Sequence, residues 1–212
     1  MGSRGTRRQG AAAQGIVAFD FDGTLTWRDS FMAFLAWRSG PARYAAGLAA
    51  LAGAGAAYLA HRDRGRIKAA AVGVFLRGLD RDSLAASCAE FAQSGLGRRL
   101  IRPDAAQCWR EWKDGGAQMV IVTASPEEVV RPFAEELGAD RLIGTRLAYD
   151  AAGRVQGAFT GLNCRGPEKV ERLRAVYGPD VRLKAAYGDT SGDREMLQLA
   201  EVKGYRVFHK RP

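Results

Sequence analysis

The 212-residue chain has few cysteines, few acids for its number of bases, and no apolar run long enough for a helix to cross a membrane. Each shortage excludes something. The three cysteines, Cys88, Cys108 and Cys164, lie far apart with no metal-ligand spacing, so reduced thiols of a cytosolic protein are expected rather than a zinc site or disulfides. Cys164 is expected to be a small packed hydrophobe. The opening residues contain no apolar stretch long enough for a signal peptide; Arg4, Arg7 and Arg8 among Gly and Ala make residues 1–14 an expected disordered basic arm. A loose myristoylation pattern at Met1 to Thr6 is of a kind frequent by chance. Thirty-two Lys and Arg against 23 Asp and Glu leave a net charge of +9. That surplus admits a basic nucleic-acid-binding protein as a reading of another class. No RNA-binding or zinc-finger motif accompanies it, however, and no aromatics interleave the basic runs, so no nucleic-acid partner is expected. Steering of anionic substrates or lipids accounts for the charge equally well.

The segment Val17 to Thr26, VAFDFDGTLT, ends a short β-compatible apolar run in two carboxylates, Asp20 and Asp22, followed by the turn residue Gly23. In an open α/β sheet a strand's carboxyl end is where ligands bind, and residues two apart on a strand point the same way. Two carboxylates so close repel unless a cation lies between them or one is protonated, and Mg²⁺ is the simplest remedy. A turn or capping pair is the structural alternative.

Three later fragments suit a phosphate site. Met119 to Ser125 reads as a second buried strand ending in hydroxyls. Ser125 is expected to cap the next helix, with Pro126 at its first position and Glu128 closing a capping box, which leaves Thr123 free for a ligand. Pro167 opens another helix with Lys169 in its first turn, where a cation opposes the helix dipole. Lys184 to Tyr187 reads as a strand running into Gly188-Asp189-Thr190-Ser191-Gly192-Asp193, a second acidic cluster.

These four motifs, in this order from Ile16 to about Phe208, resemble those of the haloacid-dehalogenase superfamily of phosphotransferases. The resemblance implies an α/β, Rossmann-like core with a parallel sheet and an inserted all-helical cap. It implies that Asp20 is the nucleophile that becomes an aspartyl phosphate, that Asp22 is the general acid and base, and that Thr123 binds phosphoryl oxygens together with Gly23 and Ala124. Lys169 neutralises charge on the nucleophile, assisted by Arg165, which competes for that role because some subfamilies place the cation there. Mg²⁺ is held by Asp20, the Asp22 carbonyl and Asp189, with Asp193 in support. An aspartate at position 22 favours phosphate ester hydrolysis over the dehalogenases and transport ATPases of the same superfamily.

Core segments are expected at residues 15–27 and 115–212, with a helical cap over 28–114 that resembles caps of the phosphoserine-phosphatase-like subfamily. Phe31, Phe34, Leu35 and Trp37 fit one amphipathic helix, and Leu84, Cys88, Phe91 and Ala92 another. Asp29 stands where phosphoserine phosphatases carry a substrate-reading glutamate. It is either a substrate contact or the N-cap of the first cap helix.

Tyr44 to Ala60 is uncharged, rich in Ala, Gly and Leu, and flanked by Arg38, Arg43, Arg62, Arg64, Arg66 and Lys68. As a helix it would extend about 25 Å, short of a roughly 30 Å hydrocarbon core. It is either an element resting on an anionic membrane surface or a packed cap helix. The stretch Asn163 to Val170 and the segment Gly204 to Val207 also resemble the phosphatidylglycerophosphatase C branch of the superfamily. A membrane lipid phosphate such as phosphatidylglycerophosphate is therefore the expected substrate, with a small soluble ester of the phosphoserine type as the alternative. The expected location is cytoplasmic, with peripheral contact at the inner face of a membrane left open.

Overall fold

The computed structural model describes residues 15–51 and 64–212. The expected basic arm at 1–14 and the later part of the apolar segment, with Arg62, lie outside the described residues.

Five parallel strands form the central sheet in the order β3-β2-β1-β6-β7: β1 Ile16–Phe19, β2 Gln118–Pro126, β3 Arg141–Thr145, β6 Leu183–Gly188 and β7 Ala200–Tyr205. This is the expected Rossmann-like α/β architecture. β1 lies in the middle because its residues are apolar on both faces, as a strand covered on both sides must be. Val17 and Phe19 point into one cluster with Met119, Ile121, Ala185 and Tyr187. Ala18 points into the other with Val120, Val122, Leu183 and Ala186. The period of two thus divides the core between the faces.

The helices are α1 Ser30–Ala50, α2 Arg64–Phe75, α3 Arg81–Gln93, α4 Gly95–Arg98, α5 Pro103–Asp114, α6 Glu127–Glu136, α7 Pro167–Tyr177 and α8 Arg194–Gln198. α7 and α8 cover the second face through Leu173, Met196 and Leu197. The first face is covered by α5, whose Trp109 lies 5.1 Å from the Phe19 ring, and by helices of the insertion. An aromatic chain runs from Phe21 to Phe133 on α6, then to Phe91 on α3 and Phe34 on α1, with centroids 5.5, 6.0 and 5.6 Å apart. The insertion and the sheet therefore share one hydrophobic core.

The ends of the insertion meet where Trp27 N donates to Leu100 O and Arg102 N to Leu25 O. α5 begins beyond this junction and packs on the sheet, so it departs from the all-cap assignment of 28–114. A small hairpin, β4 Leu147–Tyr149 and β5 Val155–Phe159, projects from the core as expected, although Thr145 belongs to β3 rather than to the hairpin.

α1 is interrupted at Gly40, at φ 70° and ψ 166°, immediately before Pro41. A residue preceding proline is disfavoured in the helical region, and glycine accepts the positive φ without strain. The first half buries Phe31, Phe34 and Leu35. The second half leaves most of its small apolar residues exposed, with Leu48 42 % exposed, and touches α2 where Gly47 receives the Phe75 ring. A Cβ at Gly47 would collide with that ring, so the close-packed alternative holds there.

Candidate active site

The ten candidate catalytic, phosphate-binding and metal-binding residues line one cavity of about 330 Å³ at the carboxyl ends of β1, β2 and β6. Asp20, Asp22 and Gly23 arrive from the β1 exit, Thr123 and Ala124 from β2, Arg165 and Lys169 from the start of α7, Asp189 and Asp193 from the β6 exit, and Asp29 from the start of α1. A larger cavity of about 660 Å³ lies over the edge strand β3, away from the carboxylate cluster.

Lys169 is only 1 % exposed, and its three ammonium donors are all used: Asp20 Oδ1 at 2.6 Å, Asp193 Oδ1 at 2.7 Å and Val122 O at 2.6 Å. Burial works against its charge, but the two carboxylates outweigh burial and hold the ammonium firmly protonated. The same burial pushes Asp20 up to about 7 against the pull of Lys169, and Asp193 adds to the rise. Burial, followed by the Asp193 charge, also raises Asp189. Asp193 stays below the ordinary aspartate range because Lys169 and the Thr190 backbone and hydroxyl overcome its desolvation.

Carboxylate oxygens of Asp20, Asp189 and Asp193 lie within 4.8 Å of one another, and Lys169 pairs with Asp20 and Asp193. Asp189 Oδ1 is buried with no hydrogen-bond partner. Three hard oxygen donors, an orphaned acceptor and an excess of negative charge are what a divalent cation such as Mg²⁺ requires. Gly23 leaves room for this cluster: at φ 87° it adopts a conformation glycine tolerates, and a Cβ there would collide with the Asp189 carboxylate. Asp193 has both oxygens engaged by Lys169 and by the Asp189 and Thr190 donors, so it braces the cluster.

The Asp22 side chain points away from the cluster. Its Oδ1 accepts from Ser30 N at 2.7 Å and Ser30 Oγ at 2.6 Å, and its Oδ2 accepts from the Ser125 hydroxyl. Ser125 is therefore not the expected helix cap. β2 runs on through Pro126, α6 starts one residue later without a side-chain cap, and Glu128 instead accepts from the Tyr149 hydroxyl. Thr123 Oγ1 accepts from Ser125 N at 3.1 Å. Arg165 donates to the Thr190 and Ser191 hydroxyls at 3.3 and 3.2 Å.

Lys68 was not expected here. In the sequence it is one flank of the apolar segment, yet from α2 it donates to Ser125 Oγ at 2.9 Å and lies 3.2 Å from the Asp29 carboxylate and 3.5 Å from that of Asp22. Burial opposes its charge, but Asp29 and Asp22 hold it above the ordinary lysine range. The available signal was helical spacing: Lys68, Ala71, Val72 and Phe75 share one face of α2, and that face is buried. Asp29 is the N-cap of α1, accepting from Met32 N at 2.9 Å, and it also lines the cavity.

Residues 17–198 match the model of the haloacid dehalogenase-like hydrolases. The chain belongs to that family. It is 56 % identical over 197 residues to the protein CicA of Caulobacter vibrioides, covering 93 % of this chain and 88 % of that one. In structure it resembles a Bordetella pertussis protein of unknown function, with a TM-score of 0.74 at 23 % identity over 88 % of this chain and 87 % of the other. It also resembles a substrate-bound phosphoserine phosphatase, with a TM-score of 0.60 at 19 % identity over 90 % and 84 %. At these identities the two structural likenesses speak for the fold.

Proposed function

We propose that this hydrolase is a Mg²⁺-dependent phosphomonoesterase that works through an aspartyl phosphate on Asp20. The observation that carries the proposal is the division of labour between the two aspartates of the β1 exit. Asp20 is fixed by Lys169 beside the acidic cluster, whereas Asp22 is held apart by Ser30, Ser125 and Lys68. That difference supports nucleophilic attack by Asp20 and proton transfer by Asp22.

A carboxylate oxygen of Asp20 attacks phosphorus, the ester P–O bond breaks, and Asp22 gives its proton to the leaving oxygen. Asp22, now ionised, takes a proton from the water that attacks the aspartyl phosphate, and inorganic phosphate leaves as Asp20 is restored. Lys169 keeps its charge throughout and offsets the negative charge on the nucleophile and the transferring group. Thr123, Ala124, Gly23 and Arg165 line the space for the phosphoryl oxygens. Asp20, Asp189 and the Asp22 backbone carbonyl would hold Mg²⁺, which supplies charge neutralisation at the transferring phosphoryl group.

The finer proposal for the substrate is a lipid phosphate such as phosphatidylglycerophosphate, with the exposed second half of α1 and the 44 % exposed Val74 of α2 resting on an anionic membrane surface. No helix among the described residues is long and apolar enough to cross a membrane. The contact proposed is a peripheral one. The alternative is a soluble ester of the phosphoserine type. Against it stands Asp29, whose carboxylate is already taken by Lys68 and Met32 N.

The test is Mg²⁺-dependent phosphate release from phosphatidylglycerophosphate in mixed micelles and from phosphoserine and other soluble esters, with Asp20→Asn as the blank. Release that vanishes in the folded Asp20→Asn protein is expected. Turnover retained by that variant removes the covalent mechanism, and preference for a soluble ester removes the lipid.

A further inference from the structure

Among the described residues four cations line the cavity, and three have polar partners. Lys169 is bound to Asp20 and Asp193, Lys68 to Asp29, Asp22 and Ser125, and Arg165 to the hydroxyls of Thr190 and Ser191. The fourth, Arg28, forms no salt bridge among the described residues, and its Nε is buried without an acceptor. Its neighbour Asp29 is turned to Lys68 and Met32 N instead. A guanidinium cannot shed its charge by titrating, and a buried N–H left unbonded costs about 1–3 kcal/mol.

The surroundings hold Arg28 ready. Its carbonyl accepts from Thr26 Oγ1 at 2.7 Å, and its guanidinium lies 5.2 Å from the Trp27 ring centroid. The Trp27 indole is itself fixed to Arg99 O at 2.7 Å. Arg28 thus stands at the crossing from the β1 exit into α1, on the side of the cavity where the insertion begins. The phosphoryl end is already furnished by Thr123, Arg165 and Lys169. The cavity, at about 330 Å³, is larger than a phosphoryl group fills.

We infer that Arg28 binds a second anionic group on the leaving alcohol, so that the substrate is a phosphomonoester carrying a further carboxylate or phosphodiester. This rests on the phosphomonoesterase reading. A planar guanidinium beside an indole suits a bidentate oxyanion, and both candidate groups present one.

The experiment measures kcat/KM, with Mg²⁺, for three probes. Glycerol 3-phosphate and 3-phosphoglycerate differ by a hydroxymethyl against a carboxylate; phosphatidylglycerophosphate in mixed micelles carries a phosphodiester. The wild-type protein is expected to favour one or both doubly anionic probes over glycerol 3-phosphate by at least about tenfold, the factor given by ~1.4 kcal/mol. Which probe is favoured distinguishes a soluble carboxylate from a lipid headgroup. In Arg28→Gln the preference collapses through KM, and Arg28→Lys, keeping the charge without the fork, recovers part of it. Equal turnover of all three probes by the wild type, or a preference that survives in Arg28→Gln, overturns the assignment. Absence of phosphate release from every probe instead sinks the phosphomonoesterase reading itself.

Discussion

Lys68 and Asp22 are joined through one hydroxyl: Ser125 donates to Asp22 Oδ2 and accepts from Lys68 Nζ, and Lys68 Nζ lies 3.5 Å from Asp22 Oδ2. A side chain from the helical insertion therefore completes the environment of a carboxylate on the β1 exit. Lys68→Met leaves Asp22 and Asp29 facing each other without their ammonium, and kcat/KM for phosphate release is expected to fall by about 10²-fold, within the range for a disturbed acid–base group. Asp29→Asn separates its two roles. Asparagine caps a helix about as well as aspartate, so thermal stability should hold while the kinetic constants change. Kinetics unchanged in Asp29→Asn would leave Asp29 with capping alone.

Lys169 is the buried hinge of the carboxylate cluster. Replacing it by Met removes the ammonium from between Asp20 and Asp193 and leaves their charges uncompensated, which typically costs about 3–5 kcal/mol. Urea denaturation should report that loss, and added Mg²⁺ should recover more stability in Lys169→Met than in the wild type, because a ligand bound only by the native state stabilises it by mass action. Equal gains in both proteins would mean that the cation does not see this cluster.

Much of this site is legible in the sequence because its carriers are strand ends and helix starts. The apolar run ending at Phe19 locates Asp20 to within a residue, Pro167 announces α7 and hence Lys169, and Gly188 marks the end of β6. What escapes is tertiary. Ser125 has the composition of a cap, but the backbone stays extended through Pro126 and the hydroxyl finds a carboxylate 103 residues away. Lys68 looks like a solvated flank of an apolar stretch until its helix is seen to bury the face that carries it. Arg28 is unremarkable in sequence, since only folding leaves its Nε without an acceptor. α5 reads as one more helix of an Ala- and Arg-rich insertion, and only the packing of Trp109 on Phe19 assigns it to the sheet.

Gly23→Ala tests the cradle for the cation. The substitution forces a non-glycine residue to φ 87° and drives its Cβ into the Asp189 carboxylate. Strain of this kind costs about 1–3 kcal/mol, so the melting temperature should fall. Asp189 must also move, so the Mg²⁺ concentration giving half-maximal activity should rise. A stability loss with an unchanged Mg²⁺ requirement would separate Gly23 from the metal.

Burial pushes the thiols of Cys88 and Cys164 up to about 12 and about 11, and raises Cys108, which is half-buried, as well. The thiolate is the reactive form, so a disulfide reagent at pH 8 should find little of it in the native protein and all three cysteines after denaturation. Phosphate release should survive such treatment. Rapid labelling of Cys164 with loss of turnover would give that thiol a part in the chemistry.

The C-terminal residues are strapped to the start of α5 by Asp104, whose Oδ2 accepts from His209 N at 2.8 Å and Lys210 N at 3.0 Å. Desolvation works against the charge, but these backbone donors outweigh it and hold the Asp104 carboxyl below the ordinary aspartate range. A carboxylate depressed in the native state stabilises it fully above its unfolded pKa of about 3.9, and that contribution is lost as pH falls through the lower native value. At neutral pH the strap is therefore complete, and acid should release it only below about pH 4. Asp104→Ala removes it at every pH. Hydrogen exchange at the His209 and Lys210 amides should then accelerate at pH 7, while global stability changes by no more than about 1 kcal/mol because the site is close to solvent. Protection of those amides that persists in Asp104→Ala would mean that the segment is held by the packing of Phe208, 6.1 Å from Phe19 and 5.4 Å from Tyr187, and by the Arg102 Nη1 bond to Lys210 O at 3.2 Å.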